Sequence, residues 1–147
     1  KLKFRKILSF DLDPSCASIA ETMNKPYVME NWKFKASTLD LHKISYDGFV
    51  FQTARADGTL ATMQETCDTI INTSCEHLSD FPRWVKSLPS NKLLILQSTN
   101  QEKTPEHIGC VSSLEEFKEI VGLKTTIYGG EYVFSDYKRF MLIGFGG

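Results

Sequence analysis

Two carboxylates near the start of the chain stand at a spacing that could do chemistry. Ile7-Leu8-Ser9-Phe10-Asp11-Leu12-Asp13 is an apolar run ending in Asp-x-Asp. Residues two apart share one face of an extended strand, so Asp11 and Asp13 could hold one Mg²⁺ through their oxygens. One carboxylate would then attack a phosphorus atom while the other moved a proton. The competing reading is two acidic residues at a strand end, entering a turn at Asp13-Pro14-Ser15. Other chemistry-bearing residues are dispersed. His42, His77 and His107 show no His-x-x-x-His spacing and no carboxylate at ligand spacing, so neither a metal site nor a cofactor is expected. No nucleophile-elbow, Walker-type or dinucleotide-binding glycine motif occurs.

The Asp-x-Asp run resembles the nucleophile motif of haloacid-dehalogenase-type phosphatases, and Leu93-Leu94-Ile95-Leu96-Gln97-Ser98-Thr99 resembles that family's second motif. The resemblance implies a small phosphotransfer enzyme using Asp11 and Asp13. A downstream Gly-Asp or Asp-Asp cluster to complete the metal site is missing, and the chain is short for that fold. The turn is therefore the preferred reading, with the enzyme as its alternative.

Composition narrows the class. At 147 residues and 41% hydrophobic content the chain suits one domain with a proper core. A net charge of −1 offers no electrostatic case for nucleic acid. The longest apolar run, Leu93 to Leu96, is far short of a bilayer span, so no membrane insertion is expected. The first residues, Lys1-Leu2-Lys3-Phe4, lack the apolar core of a signal peptide, and the chain starts without Met, which reads as a piece of something longer. Four cysteines (Cys16, Cys67, Cys75, Cys110) make an even count with no Cys-x-x-Cys pair. Asn72-Thr73-Ser74 is a glycosylation sequon between two of them. Together they indicate a secreted or cell-surface protein; the alternative is a cytosolic chain with four buried thiols. Of the three possible pairings Cys67–Cys75 is favoured, because a connecting loop of that length can close on itself, which leaves Cys16–Cys110. The short bridge would add roughly 2–3 kcal/mol. The crossed pairings stay open.

The elements that must position these residues follow from periodicity. Leu8, Phe10 and Leu12 share one face of a first strand. Residues 17–30 show no clean period and read as loop, with a helical turn at Ser18 to Met23. Asn31 to Thr38 alternates, with Trp32, Phe34 and Ala36 on one face and Lys33, Lys35 and Ser37 on the other. Asp57-Gly58 joins Phe49–Arg55 to Thr59–Thr66 as a hairpin. Phe81, Trp84, Val85 and Leu88 form the stripe of a helix starting at about Asp80, with Pro82 in its first turn. Lys92 to Ser98 reads as a central strand covered on both faces. Ser113-Leu114-Glu115-Glu116 matches a capping box before Phe117, Ile120 and Val121, and Gly122 ends that helix. Thr125–Tyr128, Tyr132–Phe134 and Arg139–Phe145 are rich in β-formers. The predicted fold is an α/β sandwich with a mixed sheet and two main helices, in one domain. Trp32, Tyr46, Tyr128, Tyr132 and Tyr137 are candidates for a stacking surface, and Asp136-Tyr137-Lys138-Arg139 for an exposed tip. The closing glycines are expected to let the backbone approach a neighbour closely.

The order of parts from Gly48 to Gly147 resembles the GG domain, the interleukin-like EMT inducer fold. That fold makes up FAM-three-type secreted cytokines and occurs in cell-surface hyaluronidase-like proteins. It is also found in the stem of protein O-mannose N-acetylglucosaminyltransferase. An opening glycine is matched by Gly48, the hairpin turn by Asp57-Gly58 and a Phe-Asp-Thr-like triplet by Cys67-Asp68-Thr69. The amphipathic helix and apolar strand are matched by Phe81 to Leu88 and Leu93 to Leu96, and the glycine ending the second helix by Gly122. The closing pattern reads Phe134-Ser135-Asp136, with Ser135 in place of the family's arginine and about two residues inserted before the strand Phe140 to Gly144. Residues 1–30 have no counterpart, so the chain divides into an N-terminal 1–47 and a GG-like core 48–147. The resemblance implies a non-catalytic module that engages a protein or glycan partner. It places sugar binding at Asp68 and Asp136, with Lys138 or Arg139 substituting for the lost arginine. A structural spacer within a larger surface protein is a further alternative.

Overall fold

A computed structural model describes residues 3–146; Lys1, Leu2 and the final Gly147 of the closing glycine run lie outside the described residues. Among the described residues the protein is mixed α/β, with eight strands in three sheets and four helices. It forms two compact units, the first reaching to Thr66 and the second starting at Cys67. The Gly48–Thr66 hairpin, expected to open the C-terminal core, groups with the first unit.

In the first unit β1 (Ile7–Asp11) runs parallel to β2 (Phe34–Thr38). Parallel neighbours need a crossover, and residues 14–29 supply it as α1 (Pro14–Met23) and α2 (Lys25–Met29) rather than as the expected loop. The apparent breaker Asp13-Pro14-Ser15 is a helix start: Asp13 caps, accepting the Ser15 N–H at 2.8 Å, and Pro14 occupies the first turn where no N–H is needed. A second correction concerns β2. Asn31 and Trp32 have left-handed backbones (φ 50° and 55°), so the strand starts only at Phe34. Its next residues are buried on both faces, including Lys35, which the alternation placed outward. Covered parallel strands lose the two-residue alternation. The Lys35 ammonium meets Glu21 Oε1 at 2.8 Å, donates to the Ala54 carbonyl at 2.6 Å and lies 4.9 Å from the Trp32 ring centre.

The predicted hairpin pairs β3 (Phe49–Ala54) with β4 (Leu60–Glu65) through a turn in which Gly58 takes φ 82°. Phe49 and Phe51 stack on one another and meet Phe10 of β1 edge-on.

The second unit is built on a four-stranded mixed sheet in the order β5 (Thr69–Asn72), β6 (Leu93–Thr99), β8 (Lys138–Phe145), β7 (Thr125–Val133). β5 is parallel to β6, and the other neighbours are antiparallel. Helices α3 (Phe81–Lys86) and α4 (Leu114–Val121) form where expected. In α4 Ser113 Oγ accepts the Glu116 N–H, while Glu116 reaches back to Ser112, one residue earlier than an ideal capping box. Gly122 closes α4 with a left-handed φ of 60°. Leu94, Leu96, Phe140 and Leu142 of the sheet, with Phe81, Trp84 and Phe117 of the helices, are buried.

The predicted close approach of a terminal glycine occurs at Gly144. A Cβ there would collide with the Thr125 carbonyl oxygen on β7. Gly144→Ala must push β7 and β8 apart, and overpacking of this kind costs about 1–3 kcal/mol. The expected outcome is a lower denaturant midpoint with an unchanged slope; an unshifted midpoint would mean that this strand pair yields freely.

Candidate functional site

The ligand residues expected from the sequence fall at two different places. Asp68 immediately precedes β5; its carbonyl accepts the Leu93 N–H and its carboxylate accepts the Thr69 hydroxyl. Asp136 lies in the β7–β8 connection, exposed. Leu93 marks the Asp68 end of β6, whereas Thr99, paired with Arg139, marks the Asp136 end. Seven residues of strand span about 20 Å, so Asp68 and Asp136 do not share one sugar pocket. Lys138 pairs with Glu131 at 2.9 Å, and Arg139 donates to the Thr73 carbonyl at 2.8 Å and lies 3.4 Å from Glu76 Oε1.

The Asp136 end is where side chains gather, because the parallel strands β5 and β6 both finish there and the β7–β8 connection returns beside them. Ligands of open α/β sheets favour the carboxyl ends of such strands. Three aromatic rings form a cluster on the hairpin. Phe134 stacks on Tyr137 with centroids 4.5 Å apart and planes 15° from parallel, and Tyr132 meets Phe134 edge-on at 4.8 Å. Tyr132 is 67% exposed and Phe134 40%, so the cluster faces solvent. Of the other candidate aromatics, Trp32 and Tyr46 belong to the first unit, and Tyr128 lies over Gly130 on β7.

Asn72 ends β5 at this same edge of the sheet. Its side-chain oxygen accepts the Ser74 N–H at 2.9 Å, a local turn that leads into a 3₁₀ turn at Cys75–His77. Between Cys67 and Cys75 the chain is therefore not a closing loop. β5 occupies it, and four extended residues alone span about 13 Å. A disulfide tolerates Cα atoms no more than about 7 Å apart. The favoured Cys67–Cys75 bridge is accordingly not formed; Cys16 and Cys110, in different units, are also unbridged. Cys75 is fully buried, and that burial pushes its thiol far above the ordinary range.

The 3₁₀ turn also carries Glu76 and His77, and the segment after β6 carries His107. The Gly109 N–H donates to the Glu76 carbonyl at 2.8 Å, which clamps the two segments together. A Cβ on Gly109 would stand 2.6 Å from the Leu78 carbonyl oxygen, so only glycine allows this approach. The rings of His77 and His107 meet edge-on with centroids 4.9 Å apart. The expectation that histidines are scattered holds along the chain and fails in space for this pair. The missing signal was the glycine clamp, which sequence spacing does not reveal. His42 is in a 3₁₀ turn of the first unit.

In the first unit Asp11 and Asp13 are engaged locally. Asp11 accepts the Asp13 N–H at 2.9 Å, and Asp13 accepts the Ser15 N–H and hydroxyl. Those two donors hold the Asp13 carboxyl below the usual carboxylate range. A cavity of about 130 Å³ lies beside Asp11, lined in part by Ser9, Cys16 and Ala20. A wider cleft of about 530 Å³ is bordered by Arg5, Lys6, Trp32 and Lys33.

No protein-family model matches this chain, and no curated protein matches it significantly. No helix among the described residues is long and apolar enough to cross a membrane.

Proposed function

We propose that the chain is a non-catalytic extracellular interaction module of the GG-domain kind, which binds a glycan through the β7–β8 hairpin. The observation that carries this reading is the solvent-facing cluster of Tyr132, Phe134 and Tyr137 with Asp136 and Lys138 beside it. Ring faces suit the apolar C–H faces of a sugar, and a carboxylate and an ammonium suit its hydroxyls. The sequon at Asn72 supports a secretory route. The local turn and capping roles of Asp11 and Asp13 support a non-catalytic reading over phosphotransfer.

A protein partner is the second reading, favoured by β7. This edge strand is exposed along nearly its whole length and shows Ile127, Tyr128, Tyr132 and Val133 to solvent. Exposed apolar edges suit strand addition or a protein contact.

A glycan array probed with the wild-type chain and two variants separates the ends of the sheet. Asp136→Ala is expected to lower the glycan signal by roughly tenfold, the loss of one charge-assisted hydrogen bond. Asp68→Ala is expected to leave it unchanged. The opposite pattern would move the site to the Asp68 end, and no glycan signal at all would leave the protein partner.

A further inference from the structure

We propose that Glu76, His77 and His107 form a binding site for a divalent transition-metal ion, with zinc as the ion that their chemistry fits. Their donor atoms, one carboxylate oxygen and two imidazole nitrogens, all lie within 4.8 Å of one another. Two histidines and one carboxylate are a recurrent zinc donor set that leaves a fourth position open. Donors around a tetrahedral zinc stand about 3.3 Å apart, given metal–ligand distances near 2.0–2.2 Å. The donors therefore need to close by no more than about 1.5 Å around an ion, and exposed His77 is free to rotate.

Three further observations point the cluster at a cation. Glu76 is 1% exposed, and its Oε2 is buried with no hydrogen-bond donor. An unpartnered buried carboxylate oxygen is costly, and a coordinated cation removes that cost. Arg139 reaches only Oε1, at 3.4 Å, and gives its shorter bond to the Thr73 carbonyl, so it leaves Oε2 unserved. His107 places Nδ1 at 2.7 Å from the Gln101 carbonyl oxygen. A carbonyl only accepts, so that nitrogen carries the proton and Nε2 keeps its lone pair for a metal. Metal-bound histidines are usually oriented in this way, by donating the other ring N–H to a carboxylate, a backbone carbonyl or water. The Gly109–Glu76 hydrogen bond holds the two contributing segments together before any ion arrives, and exposed His77 gives the ion a path in from solvent.

The site is independent of the glycan reading and is tested by titrating zinc into chelator-treated protein by calorimetry, with Co²⁺ absorption as a geometric readout. One ion per chain is expected, with visible Co²⁺ bands of low-symmetry four- or five-coordination. His77→Ala and His107→Ala are each expected to weaken binding by roughly tenfold or more, and His42→Ala to leave it unchanged. His77 is exposed, so its variant keeps the fold even where Glu76→Gln does not. Zinc affinity unchanged in both histidine variants would overturn the site. So would the absence of binding to the wild type, or binding that survives both variants and disappears on thiol alkylation.

Discussion

Lys35→Ala is expected to destabilise the first unit by about 2–4 kcal/mol, a large part of what a small folded unit has. The side chain is 4% exposed, and its ammonium serves Glu21, the Ala54 carbonyl and the Trp32 ring together. Removing it leaves a strand-end carbonyl without its donor and a carboxylate without its cation. Glu21 keeps the Ala36 N–H at 3.2 Å and is 27% exposed, which holds the loss below that of a fully buried broken pair. Lys35→Met separates packing from charge, because it retains the apolar stem. It should recover part of the loss but not all of it. Trp32 and Trp84 report on the two units separately, so unfolding followed in a Trp84→Phe background reads the first unit alone. A Lys35→Ala midpoint equal to that of wild type would show that water replaces all three contacts.

The second large effect is expected at Phe117. This ring is fully buried on α4 and stacks on Phe81 of α3 at 5.8 Å, so it ties both helices to the sheet. Phe117→Ala removes its transfer energy and leaves a cavity, at a cost of about 3–5 kcal/mol. A unit of this size has little more than that to lose. Loss of near-ultraviolet dichroism with retained far-ultraviolet signal is the expected readout, since the helices keep their local propensity while packing fails. Phe117→Leu should be much milder, because it conserves most of the volume. An alanine variant as cooperative as wild type would place the packing centre elsewhere.

Where local chemistry sets the structure, the sequence was readable. The Asp57-Gly58 turn, the Ser113 cap, the Gly122 stop and the Leu93–Ser98 strand each depend on residues within one turn or strand of themselves. Asp13-Pro14-Ser15 was ambiguous, because the residues that break a strand are also those that cap a helix, and the weakly apolar α1 has no clean stripe to decide between them. β5 was hidden in a four-residue segment whose last residue, Asn72, opens the sequon. Read as a loop, that segment suggests the Cys67–Cys75 pairing, whereas the strand it forms leaves both cysteines unbridged. Lys35 was turned outward by a two-residue period that a parallel, doubly covered strand does not obey.

The candidate site was legible only in part. Asp136, Lys138 and the tyrosines of the hairpin are close along the chain, so their grouping could be read directly. Asp68 could not be placed relative to them without the strand order β5-β6-β8-β7, which sends it to the far end of β6. Glu76 and His107 are brought together by the Gly109–Glu76 backbone hydrogen bond between segments some thirty residues apart, and no periodicity encodes that pairing.

The most direct test of the hairpin as the binding surface is the glycan-array signal of the Tyr132→Ala, Tyr137→Ala double variant against wild type. Tyr132 is exposed and Tyr137 half-buried, and neither belongs to the buried sheet core at Phe140 and Leu142, which stays intact. Glycan binding by the wild type and a loss of roughly tenfold or more in the variant are expected, from the two lost ring faces. A variant that binds the same glycans as strongly as the wild type would contradict this expectation.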